Sequence, residues 1–149
     1  LSLKEENLDA FTQRFLKLAA DEIIPEQMTP QIDIDAVLDL QDINSKFMSE
    51  LKKMNPFGPD NQKPVFCSLG VKDYGTSKLV GKDLEHIKLE LIDDKSNTPI
   101  HGIAFGMRQH NTHIKNMKPF NICYTIEENT YNGNTSLQLM VKDIKENDI

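Results

Sequence analysis

The sequence predicts a mainly β fold with helices, an α+β arrangement in which a five-stranded barrel follows a helix-strand-helix segment. Three observations carry that prediction. Apolar residues recur at helical spacing only in the first third of the chain. A break rich in Pro and Gly, Asn55-Pro56-Phe57-Gly58-Pro59-Asp60-Asn61, then changes its character, because those residues suit neither a helix interior nor a central strand. Beyond the break come five short runs of strand-forming residues, with room for a short helix between the third and the fourth. At 149 residues the chain has the size of a single domain.

Taken in order, Ser2 and Glu5 have the spacing of a capping box, and Leu8, Phe11, Phe15 and Leu18 predict an amphipathic helix that Pro25 ends. Residues 31–38 alternate, with Ile32 and Ile34 opposite Asp33 and Asp35, and predict a strand. Ile43, Phe47, Leu51 and Met54 predict a second helix capped near Asp42. The connector at 55–64 leads to runs at 65–72, 86–92, 100–105, 120–127 and 136–144, with a short helix within 107–118. Five strands with a helix between the third and fourth is the order of elements in an OB-fold barrel, a count that other small sheet folds share.

Alternation assigns faces to these runs. Ile87, Leu89 and Leu91 are expected inward, with His86, Lys88 and Glu90 outward. In the fifth run Leu137, Leu139 and Val141 point in, and Gln138, Met140 and Lys142 out. In the first, Val65, Cys67, Leu69 and Val71 form the inner set and Lys72 lies outside, so that Lys72, Lys88 and Lys142 share one barrel face. Cys67 and Cys123 read as small buried hydrophobes in preference to a disulfide or a metal site.

The formal net charge of -6 argues at first against a nucleic-acid partner. It is unevenly spread. Residues 1–62 carry 12 acids against 6 bases, whereas residues 63–149 carry 11 of each and all four His. Between Asp94 and Glu127 stand no acids, only Lys95, Arg108, Lys115 and Lys118 with His101, His110 and His113, a local positive field that is either a landing place for a polyanion or a solvated loop face. No run is long and apolar enough to span a bilayer. The start, Leu1-Ser2-Leu3-Lys4-Glu5-Glu6, resembles neither a signal peptide nor a natural beginning and reads as the edge of an excised piece.

Catalytic chemistry finds little to stand on. Asp33 and Asp35 share a strand face without a further acid, His or Cys at ligand spacing. His110 and His113 could face one metal from a helix, but no third ligand is visible nearby. Phosphate-loop and dinucleotide-binding glycine patterns are missing. The stretch Glu128-Asn129-Thr130-Tyr131-Asn132-Gly133-Asn134 combines an aromatic ring with amides, which suits stacking on a base and bonding to its edge; the segment with Tyr74, Lys78 and Lys82 has the same style. The alternative is that Asn132-Gly133 is a hairpin turn and Tyr131 packs on the barrel.

These residues carry a resemblance. Pro56-Phe57-Gly58-Pro59 with Asn61 and Pro64-Val65-Phe66, then Val80-Gly81 with His86-Ile87-Lys88-Leu89, Ile103-Ala104-Phe105, Asn129 to Gly133, Gln138-Leu139 and Asp143-Ile144, in that order and spacing, resemble the C-terminal part of the bacterial RecJ family of the DHH phosphoesterase superfamily. The resemblance implies that residues 1–28 are the end of a DHHA1 domain and residues 29–149 an OB domain, with its leading strand and helix at 29–54 and its connector at 55–64. It implies a parent enzyme that degrades single-stranded DNA from 5′ to 3′ in recombination and repair in the bacterial cytoplasm. Mn²⁺ or Mg²⁺ would be held by a DHH domain that this chain lacks, so the chain by itself is expected to be inactive and to need no cofactor. The expected partners are single-stranded DNA, the DHH and DHHA1 domains, and a single-strand-binding protein. The nucleic-acid-binding set expected from residues and resemblance together is Lys72, Tyr74, Lys78, His86, Lys88, Arg108, Lys118, Asn129, Tyr131, Asn132 and Lys142. Relatives commonly carry Trp where Tyr131 stands, which leaves both stacking and packing open to it. The competing reading is a docking or structural domain that orders the nuclease core without touching DNA. A DHH phosphoesterase acting on small nucleotides is disfavoured, because such an enzyme needs no long groove.

Overall fold

The computed structural model describes residues 2–24, 28–96, 98–131 and 133–147, with Tyr131 described as backbone alone. It contains two compact units, Leu1–Asp33 and Ile34–Ile149. In the first, a 3-10 turn at Glu5–Asn7 precedes helix α1 (Leu8–Glu22). The capping box expected of Ser2 and Glu5 does not form. Glu5 lies inside the 3-10 turn, so the helix begins too late for Ser2 to cap it, and Asn7 at the N-cap makes no side-chain bond. The apolar stripe does form, with Phe11 and Phe15 stacked at 5.9 Å between ring centroids, yet no residue of α1 is buried. The helix ends at Glu22; Pro25, expected to end it, lies outside the described residues.

The second unit opens on β1 (Ala36–Val37), which runs parallel to β2 (Phe66–Asp73). The strand expected over 31–38 shrinks to these two residues. Only Asp35 to Leu38 find backbone partners, Asp35 N–H donating to Val65 O and Leu38 N–H to Cys67 O, each at 2.8 Å. Ile32 and Ile34 stay exposed. Helix α2 (Ser45–Lys52) is capped by Asn44, not Asp42, because the Asn44 side chain is the one that reaches the N3 amide: its Oδ1 accepts from Phe47 N–H at 3.0 Å. Phe47 then lies edge-on to Phe66 at 5.5 Å, which seats α2 against the barrel. In the connector, Gly58 and Asn61 exchange backbone hydrogen bonds, and Asn61 Nδ2 donates to Met54 O and Pro56 O.

The barrel strands are β2, β4 (His86–Ile92), β5 (Ile100–Ala104), β6 (Phe120–Tyr131) and β7 (Asn134–Glu146), with β3 (Lys78–Val80) paired on the edge of β4. Neighbours run β2, β6, β7, β5, β4, and a pairing of Lys72 and Asp73 with Ile92 and Leu91 closes the ring. Only β5 and β7 among these are parallel. This is the OB arrangement, and the five expected runs are its staves. One strand exceeds the expectation, β3, which is too short for alternation to reveal; β1 is the leading strand expected over 31–38. The helix expected within 107–118 is a 3-10 turn at Arg108–His110 followed by α3 (Asn111–Lys115), whose Ile114 plugs the barrel at 0% exposure. No described helix is long and apolar enough to cross a membrane.

Inward alternation holds for Ile87, Leu89, Leu91, Leu139 and Val141, which join Phe120, Ile122 and Tyr124 in one core. It fails in the first run for Cys67, which lies between inward Phe66 and Ser68, and for Leu69, which is 59% exposed. A bulge between Ser68 and Val71, with Gly70 at φ +65°, shifts the parity of β2, so Phe66, Ser68, Val71 and Asp73 are the inward set and Leu69 turns out. Ser68 earns its burial by two hydrogen bonds, to Leu38 O at 2.7 Å and with Tyr124 Oη at 2.8 Å. Asp73, 1% exposed, accepts from Ser77 N–H and faces Lys115 Nζ at 3.8 Å, which ties α3 to β2.

Candidate nucleic-acid interface

Burying Ile87, Leu89 and Leu91 turns the alternate residues of β4 to the outside, and strand registers then build rows across the sheet. In one row Lys78 of β3 stands opposite Lys88 of β4, followed by Ile103 of β5 and Met140 of β7. A second row holds Glu90, His101 and Gln138. A third begins with Val80 opposite His86, and there Phe105, one residue beyond inward-facing Ala104, turns out beside His86. Lys78 and Lys88 are like charges directly opposite one another, a pairing that costs stability unless an anion lies between or above them. Among the described residues, no carboxylate pairs with Lys78, Lys88 or Lys142, all of which are exposed.

His86 is engaged within the fold. Its Nδ1 accepts from Gly106 N–H at 3.0 Å, which leaves the ring proton to Nε2, and Nε2 faces Glu85 at 3.4 Å. Its ring meets Phe105 edge to face at 4.9 Å and packs over Gly81, where a Cβ would come within 3.2 Å of the imidazole. The histidine is thus a prop for Phe105, which remains 54% exposed. Phe105 is absent from the set expected from sequence. Arg108 reaches the same end of the face, its Nη1 donating to Asp83 O at 3.4 Å.

The registers therefore place Lys78 and Lys88 in the row next to His86 and Phe105, while Lys142 follows the Ala104–Val141 pair on β7 and Arg108 bonds the turn that precedes β4. Lys72 lies at the far end of β4 from His86 and is paired with Asp94 at 3.1 Å, so it does not share the face with Lys88 and Lys142. Tyr74 follows β2 and is half exposed, on the side of the Glu90 row: its N–H donates to Glu90 O. Glu90 itself is held by the Thr76 hydroxyl and faces His101. Lys118 is exposed in the turn between α3 and β6, outside these rows. Asn129 is on β6 and donates to Gln138 Oε1 at 3.1 Å. The stretch 128–134, which lies between the expected runs at 120–127 and 136–144, is mostly ladder, with β6 running to Tyr131, β7 beginning at Asn134 and Gly133 in the turn at φ +79°. The Tyr131 side chain and Asn132 lie outside the described residues.

The other titratable groups serve the fold. Asp35 Oδ2 accepts from Val65 N–H. His110 and His113 both turn Nδ1 to the Glu146 carboxylate, at 2.7 and 3.2 Å, and His113 Nε2 bonds Pro119 O, so this trio clamps α3 to the end of β7. Among the described residues no group of three or more His, Cys, Asp or Glu could hold a metal ion.

The family described as the RecJ OB domain matches residues 34–143. The single-stranded-DNA-specific exonuclease RecJ of Haemophilus influenzae is 26% identical over 145 residues, 97% of this chain and 25% of that protein. The protein of the same name from Bacillus subtilis is 25% identical over 144 residues, 96% of this chain and 18% of its own length. The chain thus spans a quarter or less of these relatives. Crystal structures of Thermus thermophilus RecJ in complex with Mn²⁺ and with Mg²⁺ share the fold, with TM-scores of 0.76 and 0.74 at 17% and 16% identity; they match 100% and 99% of this chain and 20% and 21% of theirs. With the closed ring of five staves, the parallel β5–β7 pair and the α3 plug already described, the match over residues 34–143 establishes that the chain belongs to the RecJ OB-domain family.

Proposed function

We propose that this domain holds single-stranded DNA for a RecJ-type exonuclease, with the outer face of β3, β4, β5 and β7 as the contact surface. The observation that carries the reading is the unneutralised Lys78–Lys88 pair beside an exposed phenylalanine. A single strand offers what that surface lacks. Its phosphates supply anions, and its unstacked bases supply flat faces for Phe105, each stacking contact being worth about 1–3 kcal/mol. Lys78, Lys88, Arg108 and Lys142 are the phosphate contacts in this reading, and His86 positions Phe105 rather than touching DNA.

In the whole protein, residues 1–28 belong to a DHHA1 domain and residues 29–149 to the OB domain, and hydrolysis from 5′ to 3′ in recombination and repair falls to a preceding DHH domain. Among the described residues the donor sets do not fit a Mn²⁺ or Mg²⁺ site, so no metal step is assigned to them. A second reading rests on α1, whose exposed Phe11 and Phe15 suit docking on a protein surface and assign the piece to ordering the nuclease core. Fluorescence anisotropy of a labelled single strand of roughly 15 nucleotides, against a duplex control, decides between them. Binding that prefers the single strand and weakens with salt supports strand holding. Absence of binding at low salt and high protein concentration refutes it for this domain and leaves docking.

A further inference from the structure

Cys67 and Cys123 lie on different strands but are direct partners in the antiparallel pairing of β2 and β6. Their neighbours Phe66 and Tyr124, and Ser68 and Ile122, are buried in the barrel interior, so both thiols project from its outer side. The backbone fixes what kind of pair this is. Within a strand a residue's N–H and C=O point the same way, and Cys67 O accepts from Leu38 N–H on the β1 side, away from β6. Toward β6 the two cysteines therefore occupy a non-hydrogen-bonded position, where paired Cα atoms stand about 4.5 Å apart and side chains approach most closely. That spacing falls within the disulfide range of about 4.4 to 6.8 Å. Both cysteines are free in the structure, Cys67 buried and Cys123 partly open.

We propose that Cys67 and Cys123 form an oxidisable cross-strand dithiol, which a small-molecule disulfide converts to an internal disulfide that staples β2 to β6. The step balances without a further reactant. The Cys123 thiolate, the more accessible, attacks one sulfur of the disulfide, forming a mixed disulfide and expelling one thiolate. The Cys67 thiolate then attacks Cys123 Sγ, forming the Cys67–Cys123 bond and expelling the second. Two electrons pass from the cysteines to the reagent, and the two protons end on the two released thiols. Burial first, and the adjoining Cys67 thiol next, push the Cys123 thiol up to about 11. The dithiol is therefore quiet near neutrality, and closure accelerates about tenfold per pH unit from 7 to 9 as the thiolate fraction grows.

The test exposes the folded 149-residue chain to excess oxidised glutathione and reads free thiols, non-reduced peptide maps and thermal midpoint. The expected result is loss of both thiols, a Cys67–Cys123 linked peptide, a higher midpoint, and reversal by dithiothreitol. Cys67→Ser is expected to stop at a glutathione adduct on Cys123 with no rise in midpoint. A wild type that also stops at the adduct, that forms disulfide-linked dimers, or that keeps both thiols until denaturant is added would overturn the proposal.

Discussion

Replacing both Lys78 and Lys88 by Ala tests the proposed strand-holding surface at its least comfortable point. The two ammonium groups are cross-strand partners with no carboxylate of their own among the described residues, and Arg108 and Lys142 are the other two cations of the proposed contact surface. For a single strand each phosphate contact contributes about 0.7 to the slope of log affinity against log salt, so four contacts give a slope of about -2.8. Raising salt from about 50 to 200 mM should then weaken binding about 50-fold. Without Lys78 and Lys88 the slope should fall to about -1.4 and affinity at about 0.1 M salt should drop about 25-fold. Stability should move the other way. Relief of like-charge repulsion makes the double variant as stable as the parent or more so, by up to about 1 kcal/mol. The assay is anisotropy over a salt series, beside a thermal melt of each protein. Lys53→Ala, which removes an exposed partner of Glu50 on α2, serves as the control and should leave the slope alone. An unchanged slope in a folded double variant would refute the phosphate role of this face.

Phe105→Ala should weaken single-strand binding by about 1–3 kcal/mol, about five- to 150-fold, while leaving the salt slope unchanged, because stacking releases no counterions; a changed slope would tell against a stacking role. Gly81→Ala places a Cβ within 3.2 Å of the His86 ring at a backbone φ of +94°, so it should lower the thermal midpoint and loosen DNA binding through Phe105; a variant indistinguishable in both would show that His86 is not the prop. Alkaline stability follows from two groups. Burial raises the Tyr124 hydroxyl against the opposing Ser68 bond, and burial with Cys67 raises Cys123 to about 11. Both hold their protons more tightly when folded. Their contribution is complete below the unfolded values, about 8.5 for Cys and 10 for Tyr, and is lost as pH rises through the folded ones. Urea midpoints should therefore fall above about pH 9, and less so in a Tyr124→Phe, Cys123→Ser variant; a midpoint that climbs with pH would contradict this.

The five barrel runs were legible because a stave buried on one side writes its period of two into the sequence, as Ile87, Leu89 and Leu91 do. The same rule misleads on β5. Gly102 and Ala104 face inward because the interior is narrow there: a Cβ on Gly102 would lie 3.5 Å from those of both Leu89 and Leu139. The bulky Ile103 and Phe105 are consequently turned to solvent, the reverse of what hydrophobicity suggests. A glycine inside a strand-like run signals such close approach, and it is the clue that could have exposed Phe105. Gly70 gave a similar warning of the bulge that turns Leu69 outward. His86 was legible as an outward residue, but its hydrogen bond with Gly106 depends on where β5 ends, which periodicity does not specify.

Net charge describes this protein poorly because its carboxylates and its cations are sorted by neighbourhood. Lys52 and Lys63 pair with Glu128 and Glu127, Lys72 with Asp94 and Lys95 with Asp39, at 2.7 to 3.1 Å. Exposed pairs of this kind add about 0–1 kcal/mol each, so stability is not their main consequence. Their consequence is local neutrality, which removes those lysines as anion sites. Lys78, Lys88 and Lys142 are left on the outer side of the barrel, and the acid of the adjoining row, Glu90, is occupied by Thr76 and His101. At physiological ionic strength fields fade over about 8 Å, so a strand lying on this face responds to these lysines far more than to a total of -6 spread along the chain. An acidic protein can thus present locally unneutralised lysines, provided that its acids are spent on lysines elsewhere.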